Sequence, residues 1–405
     1  MTVRRRLVIY VQGYDPRGLP EYYRMFRQEF RKTLALYGLT GKVGKPVNDP
    51  DRFITTWDVE THGPGWDVGT RYMFLRWEDI IRRDFARPAW WKAPAMYLVM
   101  LFTWADGLVM RAMRAHWRFG MFIIYPMVLL TLWALGGAAL GYGVAALAAW
   151  FGLAPAAAAL IGAAAGLAAT VLAIRHTETN TYLLYLCDDI ISTCQFAHRK
   201  RPDWEARLDL FARYTVDAIR TSDADEVVVV GHSSGSFLAV DVVDRALARD
   251  PALGGHGPNV TLLTIGANLP VIGFYSRAQW FRERLRRLAV SDQIAWVDFQ
   301  SRHDIMNMWP FDPVAGHGIQ VGPERRNPAV VAISFRDLWR PEGFGRRRWR
   351  FFQAHFQFLL ANERTGASYD YYLICCGPQD LAARAAAASK TGPAAAELPE
   401  SARLV

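Results

Sequence analysis

The sequence predicts an α/β protein with a mainly parallel sheet, helices on both faces, and a transmembrane helical hairpin interrupting the chain. Short β-branched segments alternate with helical segments on both sides of one long uncharged stretch. That stretch runs from Phe119 to Ile174, far beyond the roughly 20 residues that one helix needs to cross a bilayer. The segment "VVVVGHSSGS" places glycines where a buried strand meets a helix, which predicts a tight turn.

The alternating elements can be assigned in chain order. The predicted strands are residues 7–11, 53–58, 227–230, 260–265, 294–299 and 329–335. The predicted helices are residues 21–37, 181–198, 204–220, 234–249, 279–288 and 354–362. Right-handed crossovers between parallel strands follow from chain chirality. The alanine- and proline-rich tail, residues 379–405, has a composition that predicts no fixed structure.

The uncharged stretch divides into two helices, because Gly152 and Pro155 interrupt it. We place the two spans at residues 121–147 and 156–174 within a hairpin of residues 119–174. The second span is rich in alanine and glycine, which permits close helix–helix packing. The alternative is a buried helical hairpin in a soluble protein, but such helices normally carry a polar face.

The flanks of the hairpin are basic, and the formal net charge of the chain is +9. Arginines precede the hairpin, and "RKR" at residues 199–201 follows it, whereas the turn between the spans has no charge. Positive flanks stay in the cytoplasm, so we expect two transmembrane helices with the remaining chain cytoplasmic, at the inner membrane if the protein is bacterial. The tryptophan- and arginine-rich segment 89–118 is typical of an amphipathic helix lying in the membrane interface.

The chemistry centres on Gly231-His232-Ser233-Ser234-Gly235, which fits G-x-S-x-G. A nucleophile elbow holds its serine in a strained backbone conformation between a strand and a helix, and so needs small neighbours. The alternative is a glycine-rich packing turn without chemistry. His232 is adjacent to Ser233 in the tight turn, so its side chain leaves in another direction and is not the expected base.

This motif, the surrounding strand–helix order and the opening "VIYVQGYDPRG" resemble the α/β-hydrolase superfamily, specifically serine esterases and lipases in a membrane-anchored variant. The resemblance spans residues 1–88 and 175–378, the two parts of an α/β-hydrolase domain. It implies Ser233 as nucleophile, followed along the chain by an acid and then a histidine. Asp304 occupies the acid position after the second strand beyond the motif. Its rivals are Asp298, inside that strand, and Asp312, in a "PFDP" turn.

The resemblance also implies a histidine after the last strand and an oxyanion hole. His355 follows the last predicted strand, whereas His317 precedes it. His355 would act as general base and Asp304 would orient it. The expected oxyanion donors are the backbone N–H of Ser234 and that of Gly13 or Tyr14. Many relatives have His-Gly where this chain has Gln12-Gly13, which leaves the role of this loop open.

Other functions fit the sequence less well. No histidine or cysteine pair has metal-ligand spacing, and the four cysteines form no disulfide pattern, so we expect a reducing compartment, no metal and no cofactor. The "FGRRRWRFF" run could bind nucleic acid, but arginine with aromatic residues equally suits an anionic membrane surface. We expect the partners to be membrane lipids and an acyl-ester substrate, either a lipid or a water-soluble ester. We expect no nucleic-acid partner. A non-catalytic membrane scaffold or sensor and an acyltransferase or thioesterase stay open, as does the oligomeric state.

Overall fold

The computed structural model describes residues 2–391, except residues 52, 256, 348 and 349. Within these residues nine strands form one sheet. The strands are β1 (Arg5–Val11), β2 (Thr40–Val43), β3 (Val47–Asn48), β4 (Ile54–Gly63), β5 (Trp66–Leu75), β6 (Glu226–His232), β7 (Asn259–Ile265), β8 (Ala295–Gln300) and β9 (Ala329–Ala332).

Helices cover both faces of the sheet and form the hairpin. The α-helices are α1 (Leu19–Tyr37), α2 (Glu78–Phe85), α3 (Ala89–Ala105), α4 (Leu108–Ala115), α5 (Trp117–Trp150), α6 (Pro155–Thr181), α7 (Leu183–Ala197), α8 (Pro202–Thr221), α9 (Gly235–Arg249), α10 (Pro270–Gly273), α11 (Gln279–Val290), α12 (Phe335–Leu338), α13 (Pro341–Arg347), α14 (Phe351–Phe356), α15 (Tyr371–Cys376) and α16 (Leu381–Thr391). Three 3₁₀ helices are Ala315–His317, Gly322–Glu324 and Gln357–Leu359.

The sheet is mixed but mainly parallel. Its order is β2-β4-β5-β1-β6-β7-β8-β9, with β3 also paired to β4. Six strands, in the spatial order β5, β1, β6, β7, β8 and β9, are parallel to their neighbours. The strands β2, β3 and β5 each pair antiparallel to β4. The α/β class and the mainly parallel sheet expected from the sequence are therefore confirmed.

Alternation along β1 explains why helices cover both faces. Leu7, Ile9 and Val11 pack into one core, and Val8 and Tyr10 pack into the other. Because successive side chains of a strand point to opposite faces, a strand with apolar residues at every position must be buried on both.

The connections leaving the sheet change sides between the neighbouring strands β1 and β6. Helix α1, which follows β1, packs into one core, whereas α9, which follows β6, packs into the other. The loops leaving these two neighbouring strands therefore diverge. Such a divergence leaves the crevice in which ligands of open α/β sheets bind.

Helices α5 and α6 are each long and apolar enough to cross a membrane. Their large side chains remain exposed, including Leu135 at 62% and Leu160 at 72%. The hairpin is therefore not buried within the described part of the chain, which contradicts the alternative of a soluble core hairpin.

Glycines let the two long helices approach closely, as the composition predicted. A Cβ on Gly141 would lie 2.5 Å from the carbonyl oxygen of Gly162, and one on Gly137 would lie 2.6 Å from that of Gly166. Gly137 and Gly141 form a G-x-x-x-G repeat on α5, and Gly162 and Gly166 form another on α6. This spacing is typical of close helix contacts in membranes.

The segment 89–118 forms two helices, α3 and α4, bent by 70° relative to each other. Met96 and Met100 are buried on one side of α3, whereas Leu98 and Leu101 are each 67% exposed. The Lys92 ammonium is buried and paired with Asp188 on α7 at 2.6 Å. The segment therefore packs on the α/β part along one face and leaves an apolar face exposed.

One prediction about the tail was wrong for its described part, because residues 381–391 form α16. The backbone N–H of Leu381 donates to the buried Glu226 carboxylate at 2.7 Å. Leu381, Ala385 and Ala388 are buried on one side of α16. Alanines spaced along one helical face supply this packing, which composition alone did not reveal. Residues 392–405 of the predicted tail lie outside the described residues.

Candidate active site

Ser233 lies in the turn between β6 and α9 and has the strained backbone that an elbow requires. Its φ is 56°, a left-handed conformation rare for a residue other than glycine. A Cβ on Gly231 would lie 2.5 Å from the carbonyl oxygen of Gly235, and one on Gly235 would collide with the backbone of Val11 and Gln12. Both glycines are therefore required for the close approach of backbone around Ser233.

Asp304 and His355 form a buried pair, although 51 residues separate them in the chain. His355 Nδ1 is 2.6 Å from Asp304 Oδ2, and the side chains are 2% and 0% exposed. The other carboxylate oxygen, Oδ1, accepts the backbone N–H of Met306 at 2.9 Å. Asp304 is thus oriented by its own loop after β8, and it fixes the imidazole of the α14 histidine.

The His355 ring lies close to the Ser233 turn. A Cβ on Gly266 would lie 3.1 Å from His355 Cε1, and the residue before it, Ile265, accepts the Ser233 N–H at 3.2 Å. The His355 ring centroid is 4.7 Å from that of His232. His355 Nε2 has no hydrogen-bond partner among the described atoms, while Ser233 is partly exposed. The arrangement leaves this nitrogen available to accept a proton.

Asn268 contacts the serine directly, and the sequence reasoning missed it. Its side-chain Nδ2 donates to Ser233 Oγ at 3.3 Å, and its backbone N–H donates to Ser236 Oγ at 3.0 Å. Ser236 in turn donates to the Ser233 carbonyl at 2.6 Å. Asn268 follows β7, the neighbour of β6, and polar residues at adjacent carboxyl ends of parallel strands were the available signal.

The loop after β1 approaches the serine from the other side. A Cβ on Gly13 would lie 3.3 Å from Ser233 Cβ and 3.8 Å from its Oγ. The loop is held by Trp77, whose indole donates to the Gln12 carbonyl at 3.1 Å, and by Tyr185, whose hydroxyl donates to the Tyr14 carbonyl at 2.5 Å.

The Tyr14 side chain points away into the core. Its hydroxyl donates to Asp84 at 2.9 Å and lies 3.1 Å from Ser192 Oγ. Burial, followed by the Asp84 carboxylate, raises the pKa of this phenol well above its ordinary value, so it stays a neutral donor. The Tyr14 side chain therefore anchors the loop in the core, and its backbone follows Gly13, which lies near Ser233.

The rival acids lie in other networks. Asp298 accepts hydrogen bonds from Thr264 at 2.5 Å and Gln300 at 2.6 Å inside the sheet, and burial raises its pKa to about 6. Asp312 accepts the backbone N–H of Val314 at 2.8 Å and pairs with Arg325 at 2.5 Å.

The rival histidines are also engaged elsewhere. His317 Nδ1 is 2.7 Å from the Pro313 carbonyl, and its ring contacts Phe274 and Phe311. His232 Nε2 is 3.2 Å from the His355 carbonyl, so it supports the α14 backbone. Burial, and then the nearby His355, lower the pKa of His232 and keep its ring neutral.

A second carboxylate, Asp189 on α7, also lies beside the turn and was not foreseen. Its Oδ1 accepts the hydroxyls of Thr193 at 3.3 Å and Ser234 at 3.4 Å. Burial raises its pKa to about 7, with opposing contributions from these hydrogen bonds and from His355. This carboxyl therefore changes charge near neutral pH within the surroundings of the serine.

Aromatic side chains connect the segment that carries His355 to the base of the hairpin. The Phe351 ring on α14 lies 6.3 Å from Phe122 and 6.0 Å from Tyr125 on α5. Phe352 stacks on Tyr182, between α6 and α7, at 3.8 Å. The helix that carries His355 is therefore packed against the proximal end of the hairpin.

Comparison of the chain with protein-family models, with curated proteins and with solved structures gave no match. Within the described residues, no cluster of three or more histidine, cysteine or acidic side chains could hold a metal ion.

Proposed function

We propose that the protein is a membrane-anchored serine hydrolase with an α/β-hydrolase fold, which cleaves an acyl ester through Ser233, His355 and Asp304. The observation that carries the proposal is the buried 2.6 Å pair of Asp304 and His355 beside a serine with φ of 56°. Burying an ionisable pair is unfavourable unless it is well compensated, so its position next to a strained serine favours a chemical role.

The proposed reaction divides between the two nitrogens of His355. Nε2 takes the proton of Ser233 Oγ as the oxygen attacks the ester carbonyl carbon, and later delivers it to the leaving alkoxide. Water then repeats the sequence and releases the acid and the free serine. Asp304 holds the Nδ1 proton, so Nε2 stays unprotonated before attack, and the carboxylate stabilises the imidazolium that forms.

The negative charge of the tetrahedral intermediate needs donors near Ser233. The backbone N–H of Ser234 stands at the start of α9, where the helix dipole favours an anion. The Gly13 backbone lies across from it and is held in place by Trp77 and Tyr185. Donors fixed before reaction are effective because they need no reorganisation when charge develops.

Asn268 is compatible with this mechanism. A hydroxyl can donate one hydrogen bond while accepting others, so Ser233 Oγ can accept from Asn268 and donate to His355. The amide then restricts the rotation of the serine side chain toward the imidazole.

A labelling experiment tests the proposal. The purified full chain is treated with a fluorophosphonate probe, which modifies activated serines, beside Ser233→Ala and the control Ser276→Ala. Ser276 is exposed and bonded to Asp106, away from the turn. We expect labelling of the wild type and of the control but not of Ser233→Ala. Equal, weak labelling of all three would exclude the hydrolase and favour the non-catalytic scaffold. Acyl transfer and thioester hydrolysis share the acyl-enzyme and differ in the acceptor or leaving group.

We also propose that the α/β part lies in the cytoplasm. The arginines before α5 and those after α6 flank the hairpin on one side, whereas the Gly152 turn is uncharged. All four native cysteines are buried, so single engineered cysteines report topology cleanly. In intact cells an impermeant maleimide should label Gly152→Cys and spare Ser276→Cys, and the reverse result would invert the orientation.

A further inference from the structure

Helix α3 exposes an uncharged face made of large apolar side chains. Within residues 89–105 the only charged side chain is Lys92, and it is buried. At 3.6 residues per turn, the large exposed side chains fall on one side of the helix. They are Trp90, Leu98, Leu101, Phe102 and Trp104, with Trp90 77% exposed. Contiguous exposed apolar surface of this kind marks a contact with a membrane or with another molecule.

The opposite face of α3 is fixed to the α/β part. Met96 and Met100 are buried in the core, and the Lys92 ammonium pairs with a carboxylate of α7 near the start of the helix. Near its end, Thr103 Oγ1 lies 3.0 Å from the Tyr275 hydroxyl. The helix therefore lies along the α/β part and is apolar on both faces. Helices that are apolar on all sides are normally buried all round, in a protein core or in a membrane.

Contacts with α5 place α3 beside the hairpin. The Tyr97 hydroxyl lies 2.7 Å from Thr131 Oγ1 on α5. Thr131 belongs to the span that the sequence places at residues 121–147. The residue before it, Leu130, is buried in the same core as Met96. Lipid that surrounds this part of the hairpin would therefore also reach the exposed face of α3.

The sheet excludes α3 as a further crossing of the membrane. Strand β1, which precedes α3 in the chain, is paired with β6, which follows α6, so both strands lie on one side of the membrane. The chain between them must therefore cross the bilayer an even number of times. As a hairpin, α5 and α6 give two crossings. A third crossing by α3 and α4 would place β1 and β6 on opposite sides.

We propose that the exposed face of α3 is immersed in the leaflet next to the α/β part, so that this part rests on the bilayer through α3. The occupant of the face is the acyl region of the lipid, because the face is uncharged and continuous with the hairpin. A surface for a soluble partner would instead carry a polar rim. The inference goes beyond the proposed function, because it concerns membrane contact and stands whether or not Ser233 is a nucleophile.

The membrane contact lies one helix away from the candidate site. Lys92 of α3 pairs with Asp188 of α7. The next residue, Asp189, accepts the hydroxyl of Ser234 at 3.4 Å. Helix α7 thus connects α3 to the turn that carries Ser233, and the contact holds this turn at a fixed distance from the bilayer.

The test measures the depth of spin labels on the full-length chain in nanodiscs. All four native cysteines are buried, so nitroxides can be attached to single engineered cysteines, and the unsubstituted chain reports the background. Collisions with oxygen, which dissolves in the bilayer, and with a water-soluble nickel chelate give the depth. We expect labels at Leu98→Cys and Leu101→Cys to be reached by oxygen and shielded from the chelate, as at the bilayer reference Leu135→Cys. The water reference Arg31→Cys, exposed on α1 over the other core, should show the reverse.

Two more sites distinguish a helix that lies along the membrane from one that crosses it. Trp90 and Ala105 are both exposed and lie 15 residues apart, about 22 Å along α3 at 1.5 Å per residue. We expect labels at Trp90→Cys and Ala105→Cys to differ in depth by less than half of that distance. A measurement without any substitution uses a phospholipid with a photoactivatable diazirine in its acyl chain. It should crosslink to residues 89–105 of the wild type as well as to the hairpin.

Four results would overturn the proposal. Chelate access at Leu98 and Leu101 equal to that at Arg31 would place the face in water. A depth difference of about 22 Å between the two ends of α3 would make it a span. Spin–spin broadening at Leu101→Cys that disappears on dilution with unlabelled chain would mean that a second copy covers the face. Lipid crosslinks confined to α5 and α6 would leave the hairpin as the membrane contact. None of these readouts depends on Ser233, so failure here is distinguishable from failure of the hydrolase proposal.

Discussion

Replacing Asp304 by asparagine separates orientation of the histidine from folding. Asp304 uses its two oxygens differently: Oδ1 accepts the Met306 N–H at 2.9 Å, and Oδ2 faces His355 Nδ1 at 2.6 Å. In Asp304→Asn the remaining oxygen can keep the first bond, so the loop should retain its conformation. The new NH₂ group cannot accept from Nδ1–H. His355 must then carry its proton on Nε2, where it can no longer take one from Ser233.

The size of the loss follows from the geometry. The charges of a carboxylate and an imidazolium in this pair are roughly 4 Å apart, which is worth about 4 kcal/mol at an effective dielectric constant of about 20. That energy corresponds to roughly 1,000-fold in rate, at about 1.4 kcal/mol per factor of ten. The wrong tautomer adds to it, so we expect turnover to fall about 1,000- to 10,000-fold, in the range known for such a change.

The assay is turnover of a chromogenic short-chain ester by the purified protein, with circular dichroism as a check of folding. The matched control is Asp298→Asn, a buried carboxylate in the neighbouring strand that is bonded to Thr264 and Gln300 rather than to a histidine. We expect Asp298→Asn to act mainly on the stability of the fold and less on ester turnover. The reasoning is refuted if Asp304→Asn stays within about ten-fold of wild-type turnover while folded, because a true orienting acid is needed in the transition state.

Two further predictions concern groups that the sequence did not single out. Asn268→Ala should lower ester turnover roughly two- to ten-fold, the range of one neutral hydrogen bond, and an unchanged rate would show that the amide does not act on Ser233. Asp189 has its pKa raised from 3.8 to about 7, so the folded protein binds a proton that the unfolded chain has lost, and stability should fall as pH rises from about 4 to about 7. Asp189→Asn should remove that decline in thermal unfolding midpoints measured across this range, and an identical decline in the variant would assign it to another group.

Much of the α/β part could be predicted from local patterns. Strands β1, β6, β7 and β8 are runs of β-branched and apolar residues, and buried parallel strands give this signal most clearly. The antiparallel edge was mostly missed. In its first half, β5 alternates exposed residues such as Asp67 and Arg71 with buried ones such as Val68 and Tyr72, and it follows a "GPG" turn. This alternation and the turn were both signals for a hairpin.

The candidate site likewise contains residues that the sequence predicted and residues that it did not. The Ser233 turn is local, so glycine spacing predicts it. The pairing of Asp304 with His355 is a long-range contact, and chain order under the family resemblance selected those residues before any distance was known. Asn268 follows the strand next to β6, a signal that it shares with other polar residues at strand ends, and nothing local distinguishes Asp189 from the other polar residues of α7. Their position beside Ser233 depends on how β7 and α7 pack, which one sequence does not encode in any short pattern.

The packing around His355 couples the proposed site to the hairpin. Helix α14 has six residues, too few to be stable alone in water. Its position therefore depends on tertiary contacts, and two of its aromatic residues, Phe351 and Phe352, pack on the base of α5 and on Tyr182. If α5 tilts or rotates as it adapts to bilayer thickness, the movement reaches α14 through these rings. The distance from His355 to Ser233 would then depend on the membrane, whereas a hairpin joined only by a flexible linker would transmit no such change.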